Sequence, residues 1–216
     1  MRYKDRILRD RLSQSIHLNE IWRVIDLYEA ISSSYSELYS SEQISKYTSI
    51  FNSINLSHLR SKGSVLSIID IGCGIGDLAH FLSKNLRTKS LIHYIGLDIS
   101  PSQLTRAKMR KDEVEYSGFL MDLIAGDLAF PPFRDILSTD VLVLMTVIRC
   151  SYDFKSILEY YERFFKPQLM IFSIICDDED LLKGLREFLE GVGNLCRWYR
   201  THEVICVRVG KGDERK

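Results

Sequence analysis

Three carboxylates and three glycines, set where short apolar runs end, are the residues of this 216-residue chain best placed to do chemistry. Ile68-Ile69-Asp70-Ile71-Gly72-Cys73-Gly74-Ile75-Gly76-Asp77 closes an apolar run with an acid and then a glycine-rich turn. Glycines let the backbone turn sharply and let a ligand touch the main chain. The amphipathic segment Leu78 to Leu86 follows at once, so a helix start would offer free N–H groups at the same spot. The loop spacing is G-x-G-x-G. In the dinucleotide fingerprint G-x-G-x-x-G the third glycine would fall at position 77, which is Asp77. Asp98 ends Tyr94-Ile95-Gly96-Leu97-Asp98, and Asp127 follows Ala125-Gly126. Asp98 is placed to accept both hydroxyls of a ribose, Asp127 to accept from an adenine amino group, and Asp70 to meet an ammonium or loop amides from beneath. Asp70 and Asp77 would repel a pyrophosphate, because like charges repel. A zwitterionic or cationic ligand fits better.

The elements that must position these residues alternate. Strand patterns fall at Val65–Ile71, Ile92–Leu97, Phe119–Ala125, Asp140–Thr146 and Leu169–Cys176. Each is short and largely apolar, as strands covered on both faces are. Helical patterns lie between them at Asp77–Asn85, Pro101–Lys111 and Phe154–Phe165. Ser100-Pro101 is a start signal, with Ser102 as an alternative cap. Phe130-Pro131-Pro132-Phe133 forces an extended loop. In an open parallel sheet, ligands bind at the carboxyl ends of strands, where all three acids stand. The end of the chain differs. A helix over Asp177–Leu189 and a turn at Gly191-Val192-Gly193-Asn194 precede Leu195–Tyr199 and Val204–Val209, two strands so close that they must pair antiparallel. The first 60 residues read as helical. Ile21, Val24, Ile25, Tyr28 and Ile31 share one face, Ser32-Ser33-Ser34 marks a break, and Ile44, Tyr47, Ile50, Phe51 and Ile54 share a second face. The segment 60–64 reads as a linker, and Lys211–Lys216 as a frayed tail.

The chain is one domain's worth, 45% hydrophobic and 27% charged, with 29 basic and 29 acidic residues. A neutral balance gives no electrostatic reason to expect tight binding to nucleic acid or an anionic membrane. No apolar run reaches membrane-spanning length, and no signal-type apolar core follows the N-terminus. The five cysteines (73, 150, 176, 196, 206) form no C-x-x-C pair. We therefore expect neither zinc nor a disulfide framework, and a cytoplasmic, reducing location.

The Asp70–Gly76 loop, Gly96-Leu97-Asp98-Ile99-Ser100, and Gly126-Asp127-Leu128-Ala129-Phe130-Pro131-Pro132-Phe133 together resemble the class I S-adenosylmethionine-dependent methyltransferases. The strand Asp140–Val147 and Phe164-Phe165-Lys166-Pro167 match further, so the resemblance covers roughly residues 65–176 in detail. It implies a Rossmann-like three-layer sandwich: a seven-stranded, mostly parallel, doubly wound sheet with an antiparallel last strand, plus an N-terminal helical cap. The corresponding boundaries are a cap or lid over 1–60, a cofactor-binding domain over 61–210 and a tail over 211–216. It implies S-adenosyl-L-methionine as cofactor. Asp70, Gly72, Gly74 and Gly76 would hold its amino-acid part, Asp98 its ribose and Asp127 its adenine. Cys73, Ile99, Leu128 and Met145 would line the same pocket.

Tyr28-Glu29-Ala30-Ile31-Ser32-Ser33-Ser34-Tyr35 is similar to the N-terminal lid helix of small-molecule members, with Ser32 in an alanine slot and Ser36 where Asp often stands. Tyr35 is assigned to the cofactor on that basis. No general base can be named; Glu37, His80, Arg149 and Tyr35 are nearby candidates only. His80 reads as a helix residue and Cys73 as a small loop side chain. Arg149 reads as a loop charge at the mouth of the fourth strand. Pro131-Pro132-Phe133 resembles the Pro-Pro-aromatic motif of amino-group methyltransferases but follows the third strand instead of the fourth. The histidines show no metal spacing, and no metal is expected. Arg2, Lys4, Arg6, Arg9 and Arg11 interleave with acids as on a solvated helix face. The acceptor is read as a small molecule. RNA or protein, with a partner subunit, is the alternative, and a non-catalytic cofactor-binding scaffold is a third class. Oligomeric state is not legible.

Overall fold

The computed structural model describes residues 18–31, 34–54, 64–86, 88, 90–115, 118–128, 131–133, 139–191 and 195–210. The basic run at 2–11, most of the linker, the turn at 192–194 and the C-terminal tail lie outside them, as do the side chains of Ile21 and Tyr35. In chain order the elements are α1 (Leu18–Ile31), α2 (Tyr35–Ser53), β1 (Val65–Ile71), α3 (Asp77–Asn85), β2 (Leu91–Asp98), α4 (Pro101–Met109), α5 (Lys111–Val114) and β3 (Phe119–Ala125). Then come β4 (Val141–Arg149), α6 (Phe154–Phe165), β5 (Leu169–Ile175), α7 (Glu179–Gly191), β6 (Leu195–Arg200) and β7 (Glu203–Val209). The strands form one seven-stranded sheet in the order β3-β2-β1-β4-β5-β7-β6. β7 runs antiparallel to both β5 and β6, and β1–β2, β2–β3 and β4–β5 are parallel. This is the doubly wound architecture expected from the alternating pattern.

By backbone contacts the chain divides into two compact units, Leu18–Pro131 and the part from Pro132 on. In the first, β1 and β2 are buried through Ile68, Ile69, Ile71, Ile92, Tyr94 and Leu97, and α3 covers them with Leu78, Ala79 and Leu82. The ladder aligns Asp70 with Gly96 and Asp98 with Ala125, which brings the three acid-bearing strand ends to one edge. Ser100 is the residue that caps α4: its hydroxyl accepts from the Gln103 amide at 3.3 Å. The break between the first two helices falls where the serines predict, with α1 ending at Ile31 and α2 starting at Tyr35.

One predicted face is corrected. α2 buries Gln43, Lys46, Tyr47 and Ile50, whereas Ile44 is 44% exposed. The buried stripe follows i, i+3, i+4, i+7 from Gln43. It admits Lys46 at 1% exposure, with its ammonium 3.1 Å from Glu42. Of the apolar residues expected on this face only Ile44 is exposed; Tyr47 and Ile50 are buried and Phe51 and Ile54 half-buried, and the polar Gln43 and Lys46 complete the stripe. Tyr47 and Phe51 then reach Phe81 of α3, ring centroids 5.7 Å apart in both pairs.

The second unit is built on β4, buried from Val141 to Met145 and at Ile148, and β5, buried from Leu169 to Ile174. α6 seals them with Ile157, Leu158, Tyr161 and Phe165, and Phe133 of the proline loop meets Phe165 edge-on at 5.3 Å. The structure also overturns the cysteine expectation. Cys150 is joined to Cys176, and Cys196 to Cys206, leaving Cys73 as the free thiol. Cys196 and Cys206 face each other in the β6–β7 ladder, with Cα atoms 4.1 Å apart. Cys150 and Cys176 follow the ends of neighbouring parallel strands, and the Cys150 amide donates to the Ile175 carbonyl. Ladder register makes these neighbours, and linear spacing does not carry register.

Candidate cofactor-binding site

Gly72, Gly74 and Gly76 all take positive φ, at 77°, 53° and 78°, where a side chain is strained. The turn is anchored to β2: the Gly72 and Cys73 amides both donate to the Leu97 carbonyl, at 2.7 and 3.0 Å. Gly76 then begins α3 in a left-handed conformation. A methyl group at Gly76 would sit 3.1 Å from Met121 and 3.5 Å from Ala107 Cβ, so the loop passes close over α4 and β3.

Asp98 organises the same turn from the neighbouring strand. Its Oδ2 accepts from the Gly74 amide at 2.8 Å and its Oδ1 from the Ser100 amide at 2.9 Å. Burial pushes its pKa up, and these amides pull it partly back. A carboxylate has about four lone-pair sites, so acceptor capacity remains for hydroxyl donors. The Gly126 amide donates to the Asp98 carbonyl at 3.0 Å, which fastens the Asp127–Leu128 turn to the end of β2. Asp127, Leu128 and Ile99 are half-buried there. Asp70, Gly72, Gly74, Gly76, Asp98, Ile99, Asp127 and Leu128 therefore lie on one rim, at the carboxyl ends of three adjacent strands.

Asp70 does not meet the loop amides: those of Gly72 and Cys73 go to the Leu97 carbonyl, that of Gly74 to Asp98 and that of Gly76 to the Cys73 carbonyl. Its partner is the Tyr94 hydroxyl of β2, donating to Oδ2 at 2.5 Å. Burial raises its pKa to about 7, against the lowering effect of that bond and with some help from the Asp98 charge. The Cys73 sulfur is seated on Gly96, where an added methyl group would lie 2.8 Å away. Burial, then the charges of Asp98 and Asp70, hold its thiol well above the usual range, which is the opposite of an activated nucleophile.

Asp77 is also reassigned. It is not an open negative charge beside the loop, because Arg110 donates to its Oδ1 at 2.8 Å and Ser40 of α2 to its Oδ2 at 3.0 Å. Arg110 also donates to the Ile75 carbonyl at 3.1 Å. The ion pair thus clamps the glycine loop to the end of α4 and to α2. A second clasp joins α1 to the acid loop: Glu29 Oε1 accepts from the Ser100 hydroxyl at 2.9 Å and the Ser102 amide at 3.2 Å. Those bonds lower the Glu29 pKa. Tyr28 is half-buried and Tyr39 is 39% exposed. His80 of α3 is 3.8 Å from Glu113, and burial, Arg110 and Lys84 keep its pKa below the ordinary value.

In the second unit, Met145 of β4 is buried. Beside it Thr146 takes a positive φ of 63°, rare for a β-branched residue, and its amide donates to the buried Ser173 hydroxyl at 2.7 Å. The ladder with β5 slips between Leu144 and Ile148 at this point. Arg149 is held by Asp177 at 2.9 Å, both half in solvent. Among the described residues no cluster of metal-ligating side chains is present. No described helix is long and apolar enough to cross a membrane.

The family model described as "Methyltransferase domain" matches residues 62–214. The chain belongs to the class I S-adenosylmethionine-dependent methyltransferases. S-adenosylmethionine is accordingly the cofactor of this methyltransferase. No curated protein sequence matches it significantly. Among solved structures it is similar to a protein assigned as an S-adenosyl-L-methionine-dependent methyltransferase of Methanococcus maripaludis. Identity there is 15%, TM-score 0.56, and the match covers 87% of this chain and 94% of that one. It is likewise similar to magnesium protoporphyrin IX methyltransferase of Synechocystis PCC 6803 with bound cofactor, at 17% identity and TM-score 0.51, covering 98% and 99%. A third similarity is to the DhpI complex, at 17% identity and TM-score 0.51, covering 90% and 84%. At such identities these likenesses speak to the fold.

The residues present fit the cofactor. Buried Asp70 has a phenol partner and, among the described residues, no cation, an environment that an ammonium group would complete. Sequence reasoning missed Asp77's clamp, the Glu29 clasp and Gln103, a buried polar residue on α4. Only the last left a signal: a glutamine four residues before Ala107, on a face that should be apolar.

Proposed function

We propose that the methyl acceptor is a small molecule, taken up beneath an N-terminal helical cap over residues 1–60. The observation that carries this reading is the pair of clasps. Glu29 holds α1 to the loop after Asp98, and Ser40 holds α2 to Asp77 behind the glycine loop. Helices fastened to both cofactor loops act as a lid more readily than as a separate platform for a macromolecule. Tyr35, at the start of α2, belongs to this lid.

In this reading Asp70 and the Gly72–Gly76 turn hold the amino-acid end, Asp98 the ribose, and Asp127 with Ile99 and Leu128 the adenine. The bound cofactor supplies a methyl group already activated on sulfonium. The chain's own work is to hold the acceptor in line and exclude water, a proximity effect. An oxygen or nitrogen acceptor carrying a proton would also need a base; a thiolate would not.

A second reading, an RNA acceptor, draws on the outer hairpin. Trp198 of β6 is 41% exposed with the Arg186 guanidinium 5.5 Å from its ring, and Arg197 and Arg200 are exposed on the same strand. Exposed aromatics beside arginines suit single-stranded nucleic acid. Labelled-methyl transfer decides between them. With extracted metabolites, total RNA and total protein offered separately, the label should enter the metabolite fraction. Label confined to RNA or protein would overturn the small-molecule reading.

A further inference from the structure

α4 runs along the glycine loop, and one face of it is unusual. Ala107 is fully buried, with its Cβ 3.5 Å from where a methyl group on Gly76 would lie. One turn earlier on the same face, Gln103 is only 1% exposed, and its side-chain oxygen is 3.9 Å from where a methyl group on Gly74 would lie. The Gln103 backbone amide is spoken for by the Ser100 hydroxyl. Its side-chain nitrogen and oxygen, both buried, have no hydrogen-bond partner among the described residues. An amide in that condition costs free energy, and native structures seldom keep one without a reason. An apolar side chain of the same length would fill the space without that cost.

Gly74 is also the residue whose amide grips Asp98 Oδ2. The unpartnered amide and the acid thus converge on one glycine from two sides, β2 and α4. A ligand whose hydroxyls reach Asp98 comes within range of a group that can both donate and accept.

We propose that Gln103 is a cofactor-binding residue, its side-chain amide taking a ribose hydroxyl beside Asp98. The inference rests on the cofactor reading above and adds a second polar contact to the same sugar. The partner it lacks is then the ligand itself, and the free-state cost is returned on binding.

Calorimetry with S-adenosylhomocysteine tests it on the full chain carrying Gln103→Met, with Gln103→Leu as a second variant should the first fold poorly. Methionine matches the length of glutamine without its polar atoms. The expected result is affinity weakened about tenfold, the scale of one lost hydrogen bond. The unliganded melting temperature should stay level or rise, because a buried unpaired amide has gone. The 2′-deoxy and 3′-deoxy forms of the same ligand give a readout independent of activity: the native chain should pay a larger penalty for losing one hydroxyl than the other, and in the variants, with Asp98 intact, the two penalties should become alike. Native affinity and discrimination in both variants would overturn the assignment. If the native chain itself does not bind S-adenosylhomocysteine, the cofactor reading fails first and takes this inference with it.

Discussion

Asp98 shows how one carboxylate both shapes a loop and keeps capacity for a ligand. Its two oxygens already accept from Gly74 and Ser100, so its remaining acceptor edge is fixed, and the proposed reading gives that edge to the ribose. Asp98→Asn would leave one acceptor oxygen and turn an amino group toward amide donors. Binding of S-adenosylhomocysteine should weaken by on the order of 2–4 kcal/mol, read by calorimetry beside a melt that checks folding. Unchanged affinity would remove Asp98 from the ribose. The place of this residue, of Asp70, Asp127 and the three glycines at strand ends was legible because each stands where an apolar run stops, and a strand end is a local property of sequence. Gln103 and Arg110 were not, because their meaning depends on what α4 lies against.

At the scale of elements, the Asp77–Arg110 pair joins α2, the loop and α4 through side chains far apart in sequence. Asp77 is buried and Arg110 only partly so. Arg110→Met would strand a buried negative charge and free the Ile75 carbonyl, a loss of about 3–5 kcal/mol. A thermal melt should show a fall on the order of 10 °C; a melt like that of the native chain would mean the clamp is ornamental. The strands and the helices between them were legible because their apolar patterns are local, although β4 runs on to Arg149 past the Thr146 end the pattern gave, and α5 was not separated from α4. In α2 the apolar pattern puts Ile44 on the buried face and leaves out Gln43 and Lys46. Lys46 spends a buried position on a charge, which no count of apolar letters anticipates. The strained Thr146 was equally invisible, because its φ is imposed by the slipped ladder between β4 and β5.

For the whole molecule, Asp70 couples folding to pH. Unfolded, it releases its proton near the ordinary carboxyl value of 3.8; folded, it holds the proton up to about 7. Between those values the folded chain binds more protons, so this group's stabilising contribution is complete below pH 4 and is lost as pH rises through 7. Buried Asp98 shifts in the same direction. Denaturant melts of the unliganded protein across pH 5–8 should therefore show falling stability, and saturating S-adenosylhomocysteine, whose ammonium favours the ionised carboxylate, should flatten the trend. A stability that climbs with pH both with and without ligand would contradict the assignment. The paired cysteines change another whole-molecule inference. Four of the five are bonded, so cysteine usage no longer argues for a reducing compartment.

β6 closes the strand order at the outer rim, with Leu195 at 78% and Trp198 at 41% exposure. Such a rim invites the same strand of another copy to add on, layer upon layer. Arg197 and Arg200 stand along it as sentries, since stacking identical strands would bring guanidinium against guanidinium. That defence is electrostatic and fades with salt, so a concentrated brine is where this enzyme should first begin to clump.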